Sequence, residues 1–123
     1  MSQILCCLNN YLSELNLSGC VRLKVLICSF NRLNNLDISA CVELTEMDCS
    51  YSRVHGLDIS HNTKLAKLIC EGNSFSRLDI RKCPALIEVV KHGYRNETKE
   101  YVSYETNVGD AFLRYGRGVE LIK

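Results

Sequence analysis

The chain carries nearly the same 21-residue sequence twice in succession: Leu44, Met47, Cys49, Val54, Leu57 and Ile59 return as Leu65, Leu68, Cys70, Phe75, Leu78 and Ile80. A repeat of this length identifies a stacked, solenoid-type architecture before any helix or strand is assigned. Five copies align. They cover residues 2–22, 23–43, 44–64 and 65–85, with a fifth that begins at Leu86 and fades after Val90. The consensus unit is LxxLxCxxNxLxxLDISxCxx. Each unit holds two short apolar alternations, LxC and LxI, separated by turn-forming polar residues. Alternation over so few positions suits a short strand with one face buried, and the spacing leaves no room for a helix of ordinary length.

In the second coil the inward positions are Leu23, Leu26, Cys28, Leu33, Leu36 and Ile38, with counterparts above and below. No coil closes a core by itself, so stability comes from stacking neighbours. Six inward side chains per turn supply on the order of 10 kcal/mol gross at about 25 cal/mol per Å², most of it offset by chain entropy. Asn10, Asn31 and Asn73 recur at one bend, with Ser52 in the fourth place. An inward Asn there bonds backbone groups of its own and the adjacent coil, and Ser52, with its shorter reach, marks the third coil as the loosest point.

The eight cysteines follow the same period. Cys7, Cys28, Cys49 and Cys70 form one row, while Cys20, Cys41 and Cys83 form another in which Asn62 takes the missing place. Side chains that run parallel in a ladder do not point their Cβ atoms at one another as a disulfide requires. The pattern predicts free, buried, structural thiols in a reducing compartment, hence the cytoplasm. Cys6, adjacent to Cys7, must point the other way and is the candidate exposed thiol. There is no CxxC pair, and His55, His61 and His92 are scattered, so no metal set and no cofactor is expected.

LKVLICSFN (23–31), LTEMDCSYS (44–52) and LAKLICEGN (65–73) resemble the highly conserved segment of leucine-rich repeat proteins, and LDISACVEL (36–44), LDISHNTKL (57–65) and LDIRKCPAL (78–86) resemble the short, bacterial type of that repeat. The resemblance covers residues 2–90. It implies a leucine-rich repeat solenoid of the α/β class: a right-handed superhelix of mostly short parallel strands and turns, with little helix. It also implies a concave parallel sheet used to grip other proteins.

From Lys91 the period is lost, and the more polar segment 91–123 holds four of the six tyrosines. Strands are expected at Glu100–Thr106 and Val119–Ile122. A solenoid needs a cap over its last apolar coil, and 91–123 is read as that cap, packed on the solenoid of 1–90; the alternative is an extension that folds on a partner. At the other end, Leu5, Leu15 and Leu17 have nothing stacked outside them. That coil either pairs with a second copy or continues a longer solenoid.

The composition excludes some classes of function. Fifteen Lys and Arg against 14 Asp and Glu leave a net charge of +1, without the basic excess of a nucleic-acid binder. No apolar run approaches membrane-helix length, and MSQILCCLNN has no basic region followed by an apolar stretch. No nucleophile elbow, phosphate-cradling loop or isolated acid pair marks an enzyme.

The outward positions beside LxC vary from coil to coil: Val25, Ile27 and Ser29; Glu46, Asp48 and Ser50; Lys67, Ile69 and Glu71; then Glu88 and Val90. Variation on a fixed scaffold marks a binding surface, although a merely solvated surface varies in the same way. Ile27, Ile69 and Val90, with Phe30 and Tyr51 at the strand exit, would form an apolar anchor inside a charged rim. The candidate contacts for a protein partner are Phe30, Glu46, Asp48, Tyr51, Lys67, Ile69 and Glu71. On the LDIS side, Asn16, Asp37, Asp58 and Asp79 form a row. They are either a stripe for cations or basic peptides, or local turn caps beside Ser18, Ser39 and Ser60 with Arg32, Arg53, Arg77 and Arg81 to neutralise them.

Overall fold

A computed structural model describes residues 3–106 and 109–123. Ser2, where the first repeat copy begins, lies outside the described residues. Each LxC alternation forms a three-residue strand: β1 (Ile4–Cys6), β2 (Val25–Ile27), β3 (Glu46–Asp48) and β4 (Lys67–Ile69). They pair in parallel with their repeat equivalents in register, so Leu5, Leu26, Met47 and Leu68 stand in one column. Leu26, Met47 and Leu68 are completely buried, as are Cys28 and Cys49. The LxI half is strand only in the fourth coil, as β5 (Arg77–Asp79). Its counterparts Leu36, Ile38, Leu57 and Ile59 are buried without forming strands.

The Asn positions work as local stitching. Asn31 Nδ2 donates to the carbonyls of Cys7 and Cys28, both at 2.9 Å, and its Oδ1 accepts from the Leu12 N–H at 2.9 Å. Asn73 repeats the pattern on Cys49, Cys70 and Val54. At the exception, Ser52 Oγ donates to the Cys28 carbonyl at 2.8 Å, and the Leu33 N–H turns instead to the Ser52 carbonyl at 2.9 Å.

The second cysteine row explains its own Asn. Asn62 Nδ2 donates to the carbonyls of Ile38 and Cys41, and the Cys83 thiol approaches the equivalent carbonyls of Ile59 and Asn62. In these two coils the slot holds a short donor aimed at the preceding coil. All eight cysteines are free thiols, six of them buried; Cys20 is half-buried and Cys6 is exposed. Burial pushes the Cys28 thiol up to about 12 and Cys83 up to about 11, as expected of inert packing groups.

After the fourth coil the structure departs from the sequence expectation. The N–H of Leu86 bonds the Cys83 carbonyl just as those of Leu23, Leu44 and Leu65 bond Cys20, Cys41 and Asn62, so the repeat geometry reaches Leu86. The chain then runs through helix α1 (Pro84–His92) instead of a fifth LxC strand, so Glu88 and Val90 are helical and do not extend the strand face. Pro84 occupies the first turn, where its missing N–H costs nothing, and Leu86 and Val89 are buried at helical spacing. Gly93 ends the helix where a Cβ would lie 2.4 Å from the Val89 carbonyl and 2.5 Å from that of Glu105.

A hairpin follows, β6 (Tyr94–Glu97) and β7 (Tyr101–Glu105), then β8 (Phe112–Gly116) and β9 (Glu120–Ile122). The two expected tail strands correspond to β7 and β9. β8 pairs in parallel with β4, placing Leu113 beside Leu68, and β9 pairs in parallel with β5, placing Leu121 beside Leu78. The apolar columns thus continue in residues 112–122, with α1 and the hairpin intervening in sequence. The larger sheet has seven strands in the order β1-β2-β3-β4-β8-β7-β6, and β5-β9 form a second.

Candidate binding face

Strand alternation places every second side chain on the outward face of the seven-stranded sheet. Following the register across it, Ile4 and Cys6 adjoin Val25 and Ile27, then Glu46 and Asp48, then Lys67 and Ile69. Phe112 and Arg114 of β8 and Glu105 and Ser103 of β7 extend the same face. The first two strands present no charge, and the charged groups start at β3. Glu46, Asp48, Lys67 and Ile69, all expected on this face, are there and half-buried.

Phe30 and Tyr51 lie at the strand exits, about half and two-fifths exposed. Their rings stack with centroids 5.2 Å apart and 14° between planes. Both occupy the left-handed backbone region, φ 59° and 53°, at equivalent places in successive coils. Asn9 and Gly72 fill the same slot at φ 55° and 74°. A bulky side chain there costs about 1–2 kcal/mol relative to Gly. Gly72 is required for the stack, since a Cβ on it would lie 2.3 Å from the Tyr51 ring. The Tyr51 hydroxyl donates to Glu100 at 3.2 Å, joining the pair to the hairpin turn.

Glu71 was expected on the surface beside these rings and is instead 5% exposed. Its Oε2 lies 3.6 Å from Arg114 Nη1, while Oε1 has no hydrogen-bond partner. Burial raises its carboxyl above the ordinary range; a hydrogen bond from its own backbone and the charge of Arg114 oppose this, and Asp48 adds to it. Arg114 is held over the rings of Tyr101 at 4.2 Å and Phe112 at 5.2 Å. Ser29 and Ser50, also expected outward, are buried, and the Ser50 hydroxyl and N–H both donate to Asp48 Oδ1. Arg114, Tyr101, Phe112 and Glu105 were missed because Leu113 and Tyr115 restate LxC 45 positions after Leu68 and Cys70, where a 21-residue period does not look.

Beside β3 and β4, a cavity of about 630 Å³ is lined by Glu46, Lys67, Ile69, Glu105, Asp110 and Phe112, among others. The LDIS row takes the local form. Asp37, Asp58 and Asp79 each accept the N–H two residues on, at 3.0, 2.9 and 3.0 Å, and Asn16 does the same. Arg81 pairs with Asp79, whose carboxyl is lowered to about 2 by these bonds, whereas Arg77 pairs with Glu120 and Arg32 lies over Tyr11. Among the described residues no group of three or more His, Cys, Asp or Glu is placed to hold a metal ion, and no helix is long and apolar enough to cross a membrane.

In-register parallel strands, with one helix in the whole described chain, give a leucine-rich-repeat-like fold. Among solved structures, the chain is similar to the functional domain of InlJ from Listeria monocytogenes, an internalin-type leucine-rich repeat protein that includes a cysteine ladder. The TM-score is 0.59 at 26% identity, covering 68% of this chain and 23% of that one, so the chain spans about a quarter of the InlJ domain. No family model and no curated protein matches.

Proposed function

We propose that the chain is a non-enzymatic protein-interaction module that binds a partner through the outward face of β2–β4 and β8. Phe30, Glu46, Asp48, Tyr51, Lys67 and Ile69 make contact, and Glu71 lies beneath them. The observation that carries this reading is the Phe30–Tyr51 pair: two stacked aromatic rings, exposed, and held in a backbone conformation that disfavours them. Strain of this kind clusters at functional positions. The sheet around the pair presents different side chains on each strand over constant inward columns. A right-handed superhelix would make this face concave, residues 91–123 would close the solenoid of 1–90, and the packed thiols suit a reducing compartment such as the cytoplasm.

The test is affinity purification from the native host with mass spectrometry, comparing wild type with Ile69→Arg and with Asp58→Lys on the LDIS side. The reading expects a protein partner that Ile69→Arg loses and Asp58→Lys keeps, with thermal unfolding unchanged. Equal capture by all three would remove the site from this face.

A second reading is self-assembly through the N-terminal coil. β1 is the end strand of the sheet, and Leu5, Leu12 and Leu15 are half-buried where Leu26, Leu33 and Leu36 are buried.

A further inference from the structure

The bend after each LxC strand carries two exposed columns, one on either side of the buried Asn and Ser position. One column is Asn9, Phe30, Tyr51 and Gly72; the other is Tyr11, Arg32, Arg53 and Ser74. Between them Asn31 and Ser52 are buried and bond the coil backbone. Among the described residues six non-glycine residues have a positive φ, and five of them lie in these columns: Asn9, Tyr11, Phe30, Tyr51 and Arg53. In the first column the bend itself sets this conformation, since all four coils adopt it. In the second it does not, because Tyr11 and Arg53 take φ 53° and 60° where their equivalents Arg32 and Ser74 have no positive φ. Strain that the repeat does not impose marks a functional position.

Charge is an independent mark of the same place. Of the eight arginines, Arg77, Arg81, Arg95 and Arg114 form ion pairs. Arg32, Arg53 and Arg117 form none among the described residues, and neither does the exposed Lys99. Arg117 ties down the hairpin turn, its Nη1 donating to the Thr98 carbonyl at 3.1 Å and its N–H to the Glu100 carbonyl at 3.0 Å. That turn meets the columns where the Tyr51 hydroxyl donates to Glu100 at 3.2 Å. Glu71, beneath Tyr51, is already held by Arg114. Glu100 is thus set against Arg32, Arg53, Lys99 and Arg117, four basic groups to one acid, in a chain whose net charge is +1.

The rings indicate what lies beside the missing carboxylates. Gly72 closes the far side of Tyr51, where a Cβ would lie 2.3 Å from the ring. The stack ends at Phe30, about half exposed, with the exposed Asn9 beyond it in the column. From this arrangement we infer that the bend columns dock a short acidic segment of a partner protein that carries an aromatic side chain. Its ring lengthens the Phe30–Tyr51 stack. Its carboxylates pair with the free guanidinium groups of Arg32 and Arg53, with Lys99 and Arg117 at the rim. A single-stranded nucleic acid also brings rings and negative charge, but cations interrupted by Glu100, Asn9 and Gly72 make no continuous track for a phosphate backbone. This inference rests on the Phe30–Tyr51 pair belonging to the binding surface proposed above, and it specifies the partner chemistry that the pair's surroundings select.

The experiment measures fluorescence anisotropy of the full chain with three labelled probes: a peptide of alternating glutamate, phenylalanine and glycine, the same peptide with lysine for glutamate, and oligothymidylate. The glutamate peptide is expected to bind at least about tenfold more tightly than either of the others, to weaken as salt rises, and to weaken about tenfold against Arg32→Glu/Arg53→Glu. Arg22→Glu, at an exposed and unpaired arginine outside the columns, should leave it unchanged. Both altered arginines are exposed, so the double variant is expected to fold, and thermal unfolding checks that it does. Phe30→Gly removes the ring where the backbone already favours glycine and should weaken the glutamate peptide about fivefold in a folded chain. No binding of the glutamate peptide, equal binding of both peptides, tighter binding of oligothymidylate, or indifference to the double variant and to Phe30→Gly would overturn the inference. If Ile69→Arg abolishes capture of a partner while the peptides fail to discriminate, the strand face stands and its acidic partner falls. If the glutamate peptide behaves as expected while Ile69→Arg leaves capture intact, the bend columns stand and the strand face falls.

Discussion

At the scale of single residues, the side chains that matter most are those that serve two coils at once. Asn31 is 3% exposed and supplies donors or an acceptor to backbone groups of Cys7, Cys28 and Leu12. Asn31→Ala strands those groups and should cost about 3 kcal/mol in urea unfolding, whereas Asn10→Ala, at the exposed equivalent in the first coil, should cost under about 1. Equal effects would contradict the bridging role. The recurrence of Asn was legible in sequence. The reason Cys replaces it in the other row was not, because only coordinates show both side chains meeting carbonyls 21 and 24 residues earlier. Glu71 was misplaced for a similar reason: its position reads as outward, but Arg114 arrives from a segment outside the repeat and covers it. The raised carboxyl of Glu71 carries a sign that can be checked. The native state holds its proton to higher pH than the unfolded chain, so stability falls as pH rises from the ordinary carboxylate range through the native titration of Glu71. Wild type should therefore lose stability relative to Glu71→Gln over that interval, measured by urea midpoints from pH 4 to 8. A relative gain would mean that the attraction to Arg114 outweighs burial.

At the scale of elements, residues 84–92 had two readings in the sequence. Leu86 and Val89 fit both the LxxL spacing of the repeat and one face of a helix, and the local sequence does not choose between them. The helix α1 forms from Pro84, which is pre-set for a first turn, and buries Leu86 and Val89 on one face. The place for a fifth strand then passes to β8, 45 residues beyond β4. Leu113 is completely buried in the same column as Leu68. Leu113→Ala should therefore cost about 2–5 kcal/mol, the same class of loss as Leu68→Ala. A loss below about 1 kcal/mol would mean that β8 lies loosely on the solenoid and that the columns end at the fourth coil. The end strand β6 is exposed along its whole length, whereas β8, between β4 and β7, is sheltered on both sides.

At the scale of the whole molecule, the repeat lays out rows, and the fold turns them into a buried side that stays constant and an outward side that changes. The inward columns were legible almost residue by residue through Ile80, because periodicity and burial are the same statement in a stacked coil. The outward face was legible only up to β4, since half of its charged and aromatic rim comes from β7 and β8, whose sequence carries no period. The open first coil makes a separate prediction. Light scattering after gel filtration at several concentrations should find mass above the 14.0 kDa monomer if β1 pairs with a second copy, and a lone monomer at all concentrations removes self-pairing.

The claim on which the rest depends is that one unbroken column runs from Leu5 through Leu26, Met47 and Leu68 to Leu113. Methyl NOE spectroscopy on a selectively labelled sample measures it directly. The account predicts a chain of contacts linking each of the five side chains to the next. A chain that stops at Leu68, with Leu113 seeing no methyl of the fourth coil, would contradict it and remove the outward face as drawn here.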